Sequence, residues 1–280
     1  MKVRAIGDLA QLDDKKLFPE LSIGINLCLE NALGLQHQAK LLGNAKQAQG
    51  FSILLKLAEE EAAKCLILID AARCPKSEIG AHLKKFNSHL ARGLYAYACN
   101  MHPADFEELM NILDRERRQY YLDGPNDVDW IFKNEILFRR ESAMYVDYVD
   151  TDNGHDWINP NQGTVKVNGV LGMLSPESAV ISIVKTLKEG GCTSDLSLEI
   201  IAKRWRLITM NGDYKWAILK NEINDTLKEL DSNKLLSNPN PDWSLVLNQW
   251  PFPLWTLDLN KEIEVNRKDL REIQRRWGPE

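Results

Sequence analysis

The feature that most constrains the fold of this chain is a run of apolar residues near its start, spaced three and four positions apart. Between residues 18 and 43 these are Leu21, Ile25, Cys28, Ala32, Leu35, Ala39 and Leu42. Because an α-helix repeats about every 3.6 residues, this spacing places all seven on one face. Gly43 and Asn44 follow as a stop signal. The sequence therefore predicts a long first helix whose apolar face must pack against other helices.

Further helices are predicted along most of the remaining chain. In the first half they cover 45–72, 77–100, 103–121 and 128–142, with turn chemistry in LDGPND at 122–127. The helical spacing of apolar residues stops at Met144. Later helices are predicted over 176–189, 195–209, 212–231 and 261–276. Local basic clusters accompany several of them, including the pair Arg139-Arg140 at the end of the fifth.

Two segments between and after these helices differ in pattern. MYVDYVD at 144–150 alternates apolar and polar residues, and TVKVNGV at 164–170 is a second strand candidate, so together they predict a small hairpin. The segment 237–255 is rich in proline and tryptophan. We expect an irregular segment that packs across the helices, because three exposed tryptophans would be costly. The predicted fold is mainly α, with a helical bundle at 1–143 and a hairpin plus helical region at 144–280 packed on it.

Composition narrows the class of protein. The net charge of −5 argues against a protein that coats nucleic acid through its overall field. The five cysteines are widely spaced and form no CxxC pair, which favours buried thiols in a reducing compartment and predicts a cytoplasmic protein. No segment approaches the roughly 20 apolar residues that span a bilayer, and the first residues lack the apolar core of a secretory signal. We therefore expect no membrane partner.

The second predicted helix carries charges where apolar residues are expected. At about 100° per residue, Glu60 and Lys64 fall on an apolar arc, and Glu61 lies beside them. The arc is formed by Ile53, Leu57, Ile67 and Leu68, whereas the polar stripe of the helix is formed by Ser52, Lys56, Glu59 and Asp70. Two interpretations remain open. Glu60 and Lys64 form an i,i+4 surface pair, or the three charges line a polar seam between packed helices.

The third predicted helix supplies a possible partner for that seam, His89. It shares a predicted face with His82, Phe86 and Gly93, and Lys84 and Lys85 precede it. An imidazole between lysines and an acidic seam can act as a general acid or base near neutral pH. His82 and His89 are too far apart along a helix to share one ion, at about 10.5 Å. A HExxH motif is absent, and Glu60 with His89 would give only two ligands, so we expect no metal site. Phosphate-binding loops and dinucleotide fingerprints are also absent, and we expect no cofactor.

At these residues the sequence resembles the AbiV family of abortive-infection proteins. The resemblance lies in LCLENALGLQHQAKLL, LLKLAEEEAAKCLILID and HLKKFNSHLARG, which match a family pattern of Asn, then EExxK, then FxxH. The matching residues are Asn31, Glu60, Glu61, Lys64, Phe86 and His89. The MYVDYVD segment with Trp157 and Pro160 also fits, and the resemblance extends over about 18–160. It implies a HEPN-like antiparallel helical bundle.

The resemblance also implies an activity. Active HEPN proteins are dimeric, metal-independent ribonucleases with a motif of Arg, four to six residues, then His. The nearest equivalent here is Lys84, then four intervening residues, then His89, with lysine in place of arginine. His89 would then be the general acid or base, Lys84 or Lys64 would stabilise the phosphorane, and Glu60 would orient them. Further candidates for binding phosphate or supporting the site are Asn31, Glu61, Lys85 and Arg92.

Two functions follow as hypotheses. In the first, the chain is a homodimer that defends against phage by cleaving RNA or inhibiting translation, after activation by a phage component. In the second, the bundle is a non-catalytic dimerisation module that binds a phage or host protein. Loss of the motif arginine favours the second, and three charges that interrupt an apolar arc favour the first.

Overall fold

The computed structural model describes residues 5–122, 131–151, 154–160, 178–237 and 242–277. Most of the predicted turn at 122–127, the strand predicted at 164–170 and the first residues of the helix predicted at 176 lie outside the described residues. Within them the chain is mainly helical with two small antiparallel hairpins, which confirms the predicted fold class. None of the described helices combines the length and the apolarity needed to cross a membrane.

Two long helices form the centre of the fold. Helix α1 (Asp14–Asn44) begins at the N-cap Asp13. Of its predicted apolar face, Leu21, Ile25, Ala32 and Ala39 are buried, and the other three residues are half-buried. Helix α2 runs from Ala48–Arg73 and is joined to α1 by a three-residue connection in which Lys46 adopts a left-handed conformation (φ 58°). So short a connection folds the two helices back along each other as an αα-hairpin.

The prediction of a single helix over 77–100 is wrong. The chain there forms α3 (Ile79–His82), a 3-10 helix (Leu83–Asn87) and α4 (His89–Ala98). Ser88 has extended backbone angles, and its hydroxyl accepts a hydrogen bond from Ala91 N at 3.2 Å, so it caps a new helix. His89 is therefore the first residue of α4 and does not share a helix face with His82.

The remainder of the first half places two more short helices beside α4. Helix α5 (Phe106–Glu116) ends before the predicted limit of 121, because Tyr120–Tyr121 form strand β1, which pairs with β2 (Phe132–Lys133). Helix α6 (Glu135–Ser142) follows and packs on α4. Asn134 caps α6, and its amide also donates to the carbonyls of Glu116 and Arg118.

The second hairpin follows α6. Strand β3 (Asp147–Thr151) pairs in antiparallel register with β4 (Gly154–Ile158). The hairpin predicted from MYVDYVD is thus present, but its second strand is GHDWI and not the predicted TVKVNGV segment. The described residues of 154–158 are exposed.

The later helices enclose the central pair. They are α7 (Ala179–Glu189), α8 (Asp195–Trp205), α9 (Trp216–Ser232), α10 (Trp243–Gln249) and α11 (Arg267–Trp277). Helices α7 and α8 both pack on α1 and α2, and their buried residues join one core with those of the first half. Trp250, Phe252, Leu254 and Trp255 are buried, which confirms that the aromatic-proline segment packs across the helices. The irregular backbone predicted for this segment is wrong at Trp243–Gln249, which form α10.

Candidate functional site

The buried carboxylate of Glu60 is the centre of the candidate site. Its side chain is 5% exposed on α2, at a position that helical periodicity assigns to the apolar face. A buried carboxylate costs several kcal/mol unless cations and hydrogen-bond donors surround it. Glu60 meets that need with three partners, His89, Arg92 and Arg140. We call these four residues the Glu60 cluster.

The partners of Glu60 come from two other helices. His89 Nδ1 lies 2.8 Å and Arg92 Nη2 lies 2.9 Å from Oε2, and both belong to the first turn of α4. Arg140 on α6 donates from Nε to Oε1 over 3.1 Å. The cluster therefore ties α2, α4 and α6 together through one carboxylate.

Two contacts hold His89 Nδ1 inside the Glu60 cluster. Nδ1 is 2.8 Å from Glu60 Oε2 and 2.6 Å from Arg92 Nη2. When Nδ1 carries the proton it donates to the carboxylate, and when it does not it accepts from the guanidinium. In both arrangements Nδ1 is engaged inside the cluster. The ring is nonetheless 46% exposed, so Nε2 is the nitrogen that remains for a substrate.

The arginines leave the cluster with an excess of positive charge. Two guanidinium groups face one carboxylate, before any charge on His89 is counted. Arg140 uses only Nε toward Glu60, and its two terminal nitrogens carry four further N–H donors in a planar fork that suits a phosphate. Its side chain is 22% exposed. The terminal N–H groups of Arg140 are therefore the donors of the cluster that an anion could contact.

A cleft of about 160 Å³ opens against this cluster. Glu60 and His89 line it together with Gly93 of α4 and Ile136 and Arg139 of α6. The carboxylates of Glu59, Glu116 and Glu135 line it as well. Helices α4 and α6 approach closely here. A methyl group added at Gly93 would lie 2.3 Å from Ile136 Cγ2, too close for both to fit. Glycine at this position thus allows α6 to bring Arg140 to Glu60.

Glu61 and Lys64, the other charges of the predicted seam, pair with each other. Lys64 Nζ lies 2.5 Å from Glu61 Oε1, and the ammonium sits 5.1 Å from the centre of the Phe86 ring. The interpretation in which Lys64 pairs with Glu60 is therefore wrong. The three charges thus fall into two groups: Glu60 pairs with residues of other helices, and Glu61 pairs with Lys64 on its own helix.

The remaining predicted residues lie outside the cluster. Lys84 and Asn31 are exposed, on the 3-10 helix and on α1. Lys85 is buried, and its Nζ donates to the carbonyl oxygen of Trp255 over 3.0 Å, while burial lowers the pKa of its ammonium to about 8. A lysine held there cannot contact RNA in this structure.

Sequence reasoning missed Arg140 as a site residue. The basic pair Arg139-Arg140 was visible in the sequence, yet basic pairs at helix ends are usually solvated. Arg139 follows that rule and pairs with Glu135 on the surface, whereas Arg140 reaches the buried carboxylate. Only the packing of α6 on α4 distinguishes the two neighbours.

A second polar network, which we call the Asp70 network, lies deeper in the core. Asp70 accepts hydrogen bonds from Tyr95 Oη (2.8 Å), Arg73 Nη1 (3.1 Å) and Leu254 N (2.9 Å). Its assignment to the solvated stripe of α2 is wrong, because α4, α7 and α8 pack around this part of the helix. The Arg73 guanidinium stacks on the ring of Trp205 at 3.8 Å.

His82 and Lys85 continue this buried polar region. His82 Nε2 donates to the carbonyl oxygen of Ile67 over 2.8 Å, and its Nδ1 lies 3.4 Å from Lys85 Nζ. Burial, together with the Lys85 charge, lowers the pKa of His82 to about 4, so the imidazole is neutral near pH 7. These contacts anchor the aromatic segment 250–255 and suit a structural role.

Comparison with known protein families gives a match that includes the Glu60 cluster. The model of the family HEPN_AbiV, described as AbiV, matches residues 20–167, more than half of the 280 residues. All four residues of the Glu60 cluster fall within the matched range. Neither the search of curated proteins nor the search of solved structures found a match.

Proposed function

The chain belongs to the AbiV family of HEPN-type abortive-infection proteins, and we propose that it defends against phage as a metal-independent ribonuclease whose site is the Glu60 cluster. The observation that carries the proposal is the contact of a buried carboxylate with Nδ1 of a partly exposed imidazole. A carboxylate in that position fixes the orientation and tautomer of the ring and directs Nε2 to the reacting group.

The proposed reaction is attack of a ribose 2′-hydroxyl on the adjacent phosphorus. His89 Nε2 takes the 2′-hydroxyl proton, the O2′–P bond forms and the P–O5′ bond breaks. The leaving 5′-oxygen takes a proton from water or from a second imidazole. The products are a 2′,3′-cyclic phosphate and a 5′-hydroxyl, and no metal is consumed or required.

The two arginines would stabilise the reaction electrostatically. Charge accumulates on the phosphate oxygens as the phosphorane forms, and a preorganised guanidinium close to the imidazole lowers that barrier. Arg140 suits this role because its terminal N–H groups have no hydrogen-bond partner among the described residues. Arg92 is more deeply buried and would hold Glu60 and His89 in place. The role that the sequence assigned to Lys84 or Lys64 thus passes to Arg140 in this proposal.

The wider assembly is also part of the proposal. A homodimer would supply two His89 side chains, one as base and one as acid, and a phage component would activate it. Residues 1–143 would form the HEPN-like bundle, and residues 144–280 would support and regulate it. The aromatic segment anchored on the Asp70 network supports close coupling between these parts.

RNA cleavage by the purified full chain tests the proposal. Wild type, His89→Ala and His37→Ala are incubated with total RNA in the presence of EDTA, and cleaved 5′-hydroxyl ends are counted. His37 is an exposed histidine on α1 and serves as the matched control. We expect wild type and His37→Ala to cleave equally and His89→Ala to lose at least about 100-fold. Equal cleavage by all three would remove His89 from the mechanism.

A second candidate is a non-catalytic module that binds a phage or host protein. The observation in its favour is that the Glu60 cluster also cross-links three helices, which is a sufficient structural role. Phage challenge of cells that express wild type or His89→Ala separates the two. Protection retained by His89→Ala, without RNA cleavage by either protein, would favour the binding module.

A further inference from the structure

Helix α11 carries a row of cations that the Glu60 cluster does not use. Its 11 residues include five cations and two carboxylates, although the whole chain has a net charge of −5. At about 100° per residue, four of the cations fall within a sector of about 100°, and both carboxylates fall outside it. These four cations, which we call the basic stripe, are Arg267, Lys268, Arg271 and Arg275.

The basic stripe faces solvent. All four of its side chains are exposed, whereas Leu270, outside the sector, is buried. No carboxylate of the described residues forms an ion pair with any of the four. The apolar side of α11 is therefore used for packing within the protein, and the charge of the stripe remains available to an anionic partner.

Arg267 joins the stripe to the first hairpin. Its guanidinium lies 4.9 Å from the centre of the Tyr120 ring on β1. Tyr120 pairs directly with Lys133 on β2, so these two side chains lie on the same face of the hairpin. The Lys133 side chain is exposed, and its contact with the Asp147 carboxylate is long, at 3.7 Å. The cationic surface thus continues from α11 onto the hairpin.

The hairpin leads directly to the Glu60 cluster. Asn134, the residue after β2, caps α6, and its backbone N–H donates to the carbonyl oxygen of Gln119 over 2.9 Å. Arg140 follows about 9 Å further along the axis of α6. A polymer bound at the Glu60 cluster therefore has the hairpin within reach.

We propose that the basic stripe, with Tyr120 and Lys133, binds single-stranded RNA that extends from the Glu60 cluster. Rows of cations hold a phosphate backbone without reading its sequence. Unpaired bases stack on tyrosine rings and on the guanidinium planes of arginine, and Arg267 beside Tyr120 offers both. The identity of the ligand rests on the proposed function, whereas the stripe itself lies outside the residues 20–167 that match the family model.

The same features favour RNA over two other anionic partners. A membrane would need the apolar side of α11, where Leu270 is already buried in the protein. An acidic protein segment would pair with the cations but would make no use of a planar stacking site. RNA uses both the charge and the stacking surface.

Fluorescence anisotropy with the full chain in EDTA tests the proposal. The probe is a labelled oligouridine, and every protein in the series carries His89→Ala so that the probe is not consumed. We expect Arg271→Glu/Arg275→Glu to raise the Kd at least about ten-fold at low salt. Arg271→Gln/Arg275→Gln should reduce the slope of log K against log salt by roughly 1 to 1.5, because each phosphate contact to a single strand contributes about 0.7. Arg271→Lys/Arg275→Lys should keep most of the affinity, since it retains the charge.

Matched controls separate the stripe from a general loss of positive charge. Lys15→Glu/Lys188→Glu changes the net charge equally, at two exposed lysines on α1 and α7, and should bind oligouridine as the parent protein does. Equal binding by Arg271→Glu/Arg275→Glu or absence of oligouridine binding would overturn the proposal. Tighter stripe-dependent binding of a labelled glutamate peptide or of duplex RNA would also overturn it.

Binding and cleavage are measured separately, so the two proposals fail separately. Stripe-dependent binding of oligouridine, without RNA cleavage by wild type, would refute the nuclease and support the stripe as an RNA-binding surface. Cleavage by wild type, with equal binding by Arg271→Glu/Arg275→Glu, would refute the stripe alone.

Discussion

Replacing Glu60 with glutamine tests whether the carboxylate holds three helices together. Glutamine keeps the size and one carbonyl oxygen but removes the negative charge. Arg92, whose side chain is 9% exposed, would then be buried beside a neutral amide. The other two partners can turn toward water, since the side chains of Arg140 and His89 are more exposed.

The expected cost follows from this difference in exposure. Breaking a fully buried ion pair by removing one member costs about 3–5 kcal/mol. Of the three contacts of Glu60, only the one with Arg92 is buried enough for its loss to have this full cost. Glutamine also retains one hydrogen-bond acceptor. We therefore expect Glu60→Gln to lower the free energy of unfolding by about 2–3 kcal/mol.

A double-mutant cycle isolates the interaction. Urea unfolding is measured for wild type, Glu60→Gln, Arg92→Met and the double variant, followed by circular dichroism. Because the double variant leaves no uncompensated charge at this contact, we expect a coupling energy of about 1–2 kcal/mol between the two changes. Glu59→Gln is the matched control, since the half-buried Glu59 pairs only with the more exposed Lys56 among the described residues and should change stability by less than about 1 kcal/mol.

Two results would refute this reasoning. A cost for Glu60→Gln no larger than that of Glu59→Gln would mean that the carboxylate is hydrated in solution. Strict additivity of Glu60→Gln and Arg92→Met would mean that the two side chains do not interact, despite the 2.9 Å contact.

Three further predictions concern packing, pH and charge. Gly93→Ala should lower the free energy of unfolding in urea by about 1–3 kcal/mol and reduce RNA cleavage, because the added methyl group meets Ile136. In the control Gly34→Ala the methyl group meets nothing within 4 Å, and the free energy of unfolding should rise by about 0.5–1 kcal/mol. The pKa of His82 falls to about 4 on folding, so the unfolded chain binds the proton at a higher pH than the folded chain does. The free energy of unfolding should therefore drop by roughly 3 kcal/mol as the pH falls from 6.5 to 4. His82→Gln should flatten that dependence. Arg140→Lys should leave the fold intact yet reduce cleavage about 100-fold, because an ammonium lacks the planar fork; full activity would contradict its proposed role.

The long helices could be predicted because their signal is local. In α1 every third or fourth residue is apolar and the stop signal lies in the sequence itself, so its bounds differ little from the prediction. The pairing of Glu60 with His89 was also accessible, because a charge on an apolar arc needs a partner from a neighbouring helix. Periodicity thus located both the scaffold and the carboxylate that departs from it.

Other features could not be read from local pattern. Asp70 seemed to belong to a solvated stripe of α2, yet it binds Leu254 N, 184 residues away in the chain. The third helix was predicted as continuous because its composition suits a helix throughout, and the cap at Ser88 depends on backbone angles that composition does not specify.

The sequence by itself determined that this chain forms a mainly helical bundle and that Glu60 must be compensated by a cation or a donor, since the cost of burying a charge does not depend on the partner's identity. Only the tertiary structure decided which side chains compensate it. Arg140 lies 80 residues away from Glu60 and meets it because Gly93 lets two helices approach, while Lys64, four residues away, pairs with Glu61 instead. Proximity in the chain does not fix proximity in space, because packing selects the contacts.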